Sequence, residues 1–481
     1  MNLEKLFKPK SMCVVGVSKK NPLSPGRIIL LKNEYEFDVK VYGIHPQGGQ
    51  IEGVELYKNL GELPETPDIL TIAVGPDDTL EYIKKCVDFG IPSGIIIGGG
   101  FAEIGGKGKK RQELLEKLAF DNDIAVLGPN CIGVYSPPLL DTIFMPTERI
   151  TRPPKGSVAL VSQSGGVLVD QFFVKFAERN IGVSTAVSIG NRAVVDETML
   201  LEYFSTIDPE TTNIAFYLEG FKEGKARKFV EFAKESEDTI ITFFGGLTKE
   251  GKVATQSHTA SLGGDSKILT SALKQHYIIH PHSERALLTY LKVYDVLSQR
   301  KKPFGENLIV FGNVAILSVS GGHGVLCSDM LKKYGLKPVQ FSEQEKKEMF
   351  NILNPTAREI ASFNNPIDLT GSVRDSDIVN IINYLSDMEK IECIILLLLP
   401  YPPNISFQIG RRIANVITSK RKPVITFLPY VGKYSLIIES LEIANIPVFH
   451  SIKEAVQAVS ALKIRTRINN LKKDNIFWEN R

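Results

Sequence analysis

Two stretches decide how this chain is read: Val158-Ala-Leu-Val-Ser-Gln-Ser-Gly-Gly166 and its near copy Val314-Ala-Ile-Leu-Ser-Val-Ser-Gly-Gly322. Each is a short apolar run, rich in β-branched residues, that enters a Ser-Gly-Gly turn before an amphipathic stretch. This is the pattern of a buried parallel strand feeding a helix. A repeat of two is not a solenoid; it implies related α/β domains in tandem. Working outward, Met12 to Val17, Val39 to Ile44, Ile69 to Val74, Gly94 to Ile97 and Ile124 to Leu127 read as strands separated by helical segments, the first of them about Gly26 to Glu34. Such alternation predicts a parallel sheet covered on both faces.

The chain has 481 residues, enough for about three domains. Arg152-Pro153-Pro154-Lys155-Gly156 and the polar run from Gln299 to Gly305 are the breaks, so doubly wound domains are expected over 1–152, 153–302 and 303–463. The residues 464–481 read as a basic closing helix or tail, with Trp478 packed back on a domain. Lys plus Arg is 57 against 54 Asp plus Glu, a net charge of +3. So even a balance gives no reason to expect nucleic acid or a membrane surface as partner. Ile391 to Pro400 is the greasiest run but about half a membrane span, and suits a buried parallel strand. The five cysteines are dispersed without a CxxC pair, which fits a reducing, cytoplasmic setting and argues against a disulfide frame or a zinc site. No metal site is expected; His276, His280 and His282 cluster without an acidic or thiol partner.

Several residues could carry chemistry. Gly16-Val-Ser-Lys-Lys-Asn lies between a strand and a helix, where doubly wound folds bind phosphates. It is not GxGxxG, and His45-Pro46-Gln47 stands where a dinucleotide fold wants an acid, so a nucleotide-like ligand other than NAD is favoured. Ser164-Gly165-Gly166 and Ser320-Gly321-Gly322 each expose main-chain N–H groups at a helix start, a setting that favours an anion, and two copies suggest a phosphate held between facing helix ends. Close packing alone would also account for the glycines. His258 lies in Ala254-Thr-Gln-Ser-His-Thr-Ala-Ser-Leu-Gly-Gly264, a composition typical of loops. An imidazole of pKa about 6.5 supplies a neutral nucleophile there, a capping or surface histidine being the plainer alternative. Glu219, in Tyr217-Leu-Glu-Gly220, follows an apolar strand and could orient such an imidazole, or simply cap a helix in solvent. No GxxxxGK[ST] loop or GxSxG elbow is present.

Taken together the motifs resemble those of the α subunit of ADP-forming acyl-CoA (acetyl-CoA) synthetases, relatives of succinyl-CoA synthetase. They are VVGVS at 14–18, VYGIHP at 41–46, VGPDDT at 74–79, GGGFAEIG at 98–105, GPNCIG at 128–133, VSQSGG at 161–166, SIGNRAVVDE at 188–197, YLEG at 217–220, SHTASLGG at 257–264, SGGHG at 320–324 and NPIDLTG at 365–371. The resemblance implies a Rossmann-like CoA-binding domain followed by two flavodoxin-like domains. It implies that Gly16, Ser18, Lys19 and Pro46 hold the nucleotide end of CoA, Val74 and Pro76 its adenine side, and that Asn130 approaches the thiol. His258 would be phosphorylated, Glu219 would support it, and the two Ser-Gly-Gly helix starts would bind phosphate. The implied reaction is acyl-CoA + ADP + phosphate ⇌ carboxylic acid + ATP + CoA, through an acyl phosphate and a phosphohistidine. ADP/ATP and Mg2+ would bind an ATP-grasp β subunit in a hetero-oligomer, α2β2. A non-catalytic CoA or acyl-CoA sensor is the alternative. The chain departs from the family's usual pattern at Gln47, at Ala260 and around Phe243-Phe244-Gly245-Gly246, where a lysine is common.

Overall fold

The strands that feed the Ser-Gly-Gly turns lie inside two different sheets, each with parallel neighbours on both sides. The computed structural model describes residues 1–253, 266–298, 308–420 and 422–479, and the chain divides into two units, Met1–His282 and Ser283–Arg481.

The first unit holds two sheets. One contains β1 (Ser11–Val15), β2 (Lys40–Ile44), β3 (Gly49–Ile51), β4 (Val54–Tyr57), β5 (Ile69–Ile72), β6 (Ser93–Ile96) and β7 (Ala125–Leu127), in the order β3-β4-β2-β1-β5-β6-β7. All pairings are parallel except the β3–β4 hairpin. Every residue of β1, β5, β6 and β7 is buried, as a sheet covered on both faces requires. The second sheet runs β13-β12-β10-β11-β8-β9, built from β8 (Val134–Ser136), β9 (Leu140–Asp141), β10 (Lys155–Ser162), β11 (Val183–Ser188), β12 (Asn213–Leu218) and β13 (Thr239–Phe244). The second unit holds the third sheet: β14 (Asn313–Ser318), β15 (Lys337–Pro338), β16 (Ile367–Asp368), β17 (Cys393–Leu397), β18 (Val424–Phe427) and β19 (Val448–Phe449). Its order is β15-β14-β17-β18-β19, with β16 also on β14, and all these pairs are parallel. The greasy run around residue 395 is its β17, wholly buried between β14 and β18.

The expected limits at 152/153 and 302/303 differ from this partition in two places. Residues 134–141 leave the first sheet and pair antiparallel with β11 through β8. The helix Glu284–Ser298 belongs to the second unit. There it packs on the long helix Ile452–Glu479, with the Tyr294 hydroxyl donating to the carbonyl of Ala461 (2.7 Å). Lys292 pairs with Glu442 at 2.6 Å, and Arg285 with Glu454 at 2.9 Å. Apolar periodicity marks a buried helix but not the sheet it covers. The residues expected as a separate tail from 464 onward continue that long helix.

The repeat is also local. Ser162 Oγ donates to the carbonyl of Ser164 at 2.7 Å, and Ser318 Oγ to that of Ser320 at 2.7 Å. Among the described residues, no helix is long and apolar enough to cross a membrane. The five cysteines are free and buried, and burial pushes the thiols of Cys86, Cys131 and Cys327 up to about 12.

Candidate active site

In the first sheet the chain leaves β1 for β2 on one side and later returns to β5 on the other, so the order reverses between β1 and β5. A crevice opens beyond the carboxyl ends of the strands at such a point. Gly16 ends β1 with φ +91°, and a Cβ on it would lie 2.3 Å from the carbonyl oxygen of Ala73. Only glycine fits both demands, which is also why β1 stops at Val15 and not at Val17. The turn that follows carries Ser18, whose Oγ accepts from the N–H of Asn21 (3.0 Å), and Lys19, whose carbonyl accepts from Arg27 Nη1 (3.2 Å). It leads into the helix Pro25–Glu36, whose N-cap Ser24 makes no side-chain capping bond. Pro46 follows β2, beside His45, whose pKa is lowered by burial and by the positive charge of Lys19. Val74 and Pro76 follow β5, and Pro76 opens the helix Pro76–Phe89. Asn130 follows β7 with φ +56°, after a cis Gly128–Pro129 bond. All seven residues expected to hold CoA therefore sit on the carboxyl edge of one parallel sheet.

Within the same unit a cavity of about 530 Å3 lies where the first sheet meets the second, and Asn130 lines it together with Gln163, Ser164, Gly165 and Gly166. Gly16, Ser18, Lys19, Pro46, Val74 and Pro76 are not part of its lining. Gly165 and Gly166 begin a helix that runs through a π-helical stretch, Val167–Phe173, to Glu178. The wall is tied by the main chain: the N–H groups of Asn191 and Ala193 donate to the carbonyls of Pro129 (2.9 Å) and Gly128 (3.0 Å).

Sequence reading gave no role to Glu103, Asn191, Arg192, Ile132 or Phe144, all of which line this cavity. Glu103 accepts from the N–H groups of Gly100 and Phe101 and from Asn191 Nδ2. Burial works to raise its pKa, but the bonds from Asn191 and the main chain outweigh it and hold the carboxyl below its usual range. Asn191 Nδ2 also donates to Gln112 Oε1 (3.2 Å), and its Oδ1 accepts from Asn130 Nδ2 (3.4 Å). Arg192 is a non-glycine residue at φ +58°. Its Nη1 bridges Glu197 (3.2 Å) and the carbonyl of Gly220 (2.8 Å). Glu103 and Asn191 lie inside two of the quoted motifs, GGGFAEIG and SIGNRAVVDE, which were the available signal.

Glu219 is half-buried just past β12, and its N–H donates to Oε1 of Gln163 (2.9 Å), a residue of the cavity wall. The neighbouring Tyr217 phenol is raised by burial and by the Glu219 charge. Gly245 leaves room here, since a Cβ on it would lie 2.7 Å from the Tyr217 hydroxyl. His258 lies outside the described residues. Ser320-Gly321-Gly322 opens the helix Gly321–Lys333 in the second unit, where a Cβ on Gly321 would come within 2.7 Å of the Asp368 carboxylate. Phe244, near the position where the family often carries a lysine, is a buried residue packed on Phe221 and His280. His276 and His280 turn Nδ1 toward the carbonyls of Ala272 (2.7 Å) and Thr242 (2.9 Å). Among the described residues, no group of three or more His, Cys, Asp and Glu could hold a metal ion.

A CoA-binding domain model matches residues 10–137, and a succinyl-CoA ligase-like flavodoxin domain model matches 155–294. The α subunit of acetate–CoA ligase [ADP-forming] I from Pyrococcus furiosus is 31% identical, covering 96% of this chain and 97% of its own. This chain belongs to the ADP-forming acyl-CoA synthetase family. Another member, acetate–CoA ligase [ADP-forming] of Methanocaldococcus jannaschii, is 31% identical over 76% of this chain, which spans only 48% of that longer protein. Among solved members of this family, the dinucleotide forming acetyl-coenzyme A synthetase 1 of Ca. Korarchaeum cryptofilum, in complex with phosphate and ADP, superposes with a TM-score of 0.87. It is 28% identical, with 98% of this chain and 99% of that one covered.

Proposed function

We propose that this chain is the CoA- and acyl-handling α subunit of an ADP-forming acyl-CoA ligase. The observation that carries the reading is the cavity in which Asn130, from the carboxyl edge of the first sheet, meets the Ser164–Gly166 helix start of the second. A CoA molecule laid along that edge, with Gly16, Ser18, Lys19 and Pro46 at its nucleotide end and Val74 and Pro76 at its adenine, would bring its thiol toward Asn130. Gly16, Gly98 and Gly100 let the segments of this edge pack closely on one another, since a Cβ there would collide with Ala73, Val74 or Pro76. The N–H groups of Gly165 and Gly166, with the helix dipole, supply a place for phosphate.

In this reading a phosphate oxygen attacks the thioester carbonyl, the C–S bond breaks, and CoA leaves as the thiol. A ring nitrogen of His258 then attacks phosphorus in the acyl phosphate, and the carboxylate departs. ADP finally takes the phosphoryl group from His258 to give ATP. Glu219 would hold the other ring nitrogen, and the Ser320–Gly322 helix start would be a second phosphate donor set. Helix N-termini contribute by stabilising charge that develops on the transferring oxygens, with no reorganisation at the moment of reaction.

The nucleotide and Mg2+ are assigned to an ATP-grasp β subunit in an α2β2 assembly. The need for a further subunit is supported by relatives named as α subunits, and by a relative of about twice the matched length. A cytoplasmic location fits five free thiols. The test mixes the chain with an ATP-grasp partner, ATP and Mg2+. An acid-labile, base-stable phosphate on the chain, lost in His258→Asn, is expected. Its absence with an otherwise competent partner would favour the acyl-CoA sensor.

A further inference from the structure

The cavity has two chemical poles. One is polar, with Glu103, Asn191, Arg192 and the Ser164–Gly166 helix start; the other is a wall of Ile97, Ile132 and Phe144. The two meet at one point: Ile132 lies directly over Gly165, so that a Cβ there would be 2.9 Å from Ile132 Cδ1. An anion cradled by the N–H groups at that helix start therefore has hydrocarbon beside it. This is the arrangement an acyl phosphate needs, with charged oxygens on one side of the carbonyl and an alkyl or aryl chain on the other.

Resting on the function proposed above, we infer that Ile132 and Phe144 determine acyl specificity, and that the acids accepted are monocarboxylic with an apolar chain larger than acetyl. A single methyl would cover little of a wall made of three large side chains. A longer chain gains by burying more apolar surface against that wall. A second carboxylate is disfavoured for a separate reason. Among the described residues Arg192 is the only cation lining the cavity; its Nη1 is engaged by Glu197 and Gly220, which leaves its Nε as the one buried donor of that side chain without a partner. Glu103, held ionised, adds a like charge. A distal carboxylate would lose its hydration while facing the Glu103 carboxylate across the same cavity, with at most one buried donor of Arg192 to offset this, which is costly.

The experiment measures CoA-thiol consumption by the chain with its ATP-grasp partner and Mg-ATP. The acids are acetate, butanoate, phenylacetate and succinate, and the variants are Ile132→Val, Ile132→Ala and Phe144→Ala. Butanoate should exceed acetate in kcat/KM, and should exceed succinate, which differs by a carboxylate in place of a methyl, by at least about tenfold. Widening the wall should raise phenylacetate relative to butanoate. A methylene-sized change in an apolar pocket is worth about 10–200-fold, and Ile132→Val keeps the readout if an alanine variant folds poorly. Turnover with an acid profile unchanged in all three variants, or with succinate equal to butanoate, overturns the inference and leaves the ligase reading intact. No thioester from any acid overturns the ligase reading itself, and the inference falls with it.

Discussion

Arg192 Nη1 donates to the carbonyl oxygen of Gly220 at 2.8 Å, which ties the loop after β11 to the turn that carries Glu219. The same nitrogen reaches the fully buried carboxylate of Glu197. Oε1 of Glu197 in turn accepts from the N–H of Lys222, whose Nζ donates to the carbonyls of Arg192 and Ala193. Removing the guanidinium leaves a buried carboxylate without its cation, a loss of about 3–5 kcal/mol. Arg192→Ala is expected to lower the urea midpoint by that equivalent, and Arg192→Lys by less. If Arg192 also fixes the Glu219 turn, Arg192→Lys should lower the rate of His258 phosphorylation while CoA affinity stays unchanged.

Gly165 and Ile132 offer a paired test. Gly165→Ala forces a methyl against Ile132 and is expected to cost about 1–3 kcal/mol, the usual range for overpacking. Ile132→Ala in the same molecule removes the opposing atoms. The double variant should therefore be more stable than the sum of the two single changes by more than about 0.5 kcal/mol, read from denaturant midpoints in a double-mutant cycle.

Gly16 and Gly75 sit at opposite extremes. A Cβ on Gly16 would lie 2.3 Å from a main-chain oxygen at a φ of +91°, whereas one on Gly75 meets nothing within 4 Å and its φ is −63°. Gly16→Ala is expected to abolish CoA binding in calorimetry, because the crevice between β1 and β5 closes or the strand ends shift. Gly75→Ala should leave folding stability within about 0.5 kcal/mol of the parent.

A buried charge group in the first unit gives a pH signature. Asp141 is fully buried and pairs with Lys32 at 3.0 Å and with Arg152. Burial pushes the Lys32 ammonium down to about 8, with Asp141 opposing and Arg152 adding to the shift. An unfolded lysine titrates near about 10.4. Between these values the unfolded chain holds the proton and the folded chain does not, so this group makes stability rise with pH across the window. The slope is at most about 1.4 kcal/mol per pH unit. Lys32→Met should flatten the rise in denaturation midpoint between about pH 8 and pH 10. Asp141→Asn, which leaves two cations without their carboxylate, should cost about 3–5 kcal/mol at neutral pH.

The amino-acid sequence by itself determined the parallel α/β character, the position of five of the seven strands of the first sheet to within two residues, and the repeat whose two copies make the same Ser-to-Ser hydrogen bond. These are local properties: strand propensity, apolar runs and the glycine needed where a strand must turn at once into a helix. The strand-to-helix turn at Gly16 was legible by itself, whereas Pro46, Val74 and Asn130 came into consideration through the resemblance of the motifs that contain them; the structure sets all four on one edge of the sheet because each follows a parallel strand. Tertiary structure decided what depends on partners far away in the chain. It moved residues 134–141 onto β11 and the helix Glu284–Ser298 onto the helix Ile452–Glu479. It also paired Glu103 with Asn191, and set Ile132 over Gly165. A lone Glu, Asn or Ile carries no mark of the neighbour it will meet, since burial, hydrogen-bond partners and cavity walls exist only once distant segments pack.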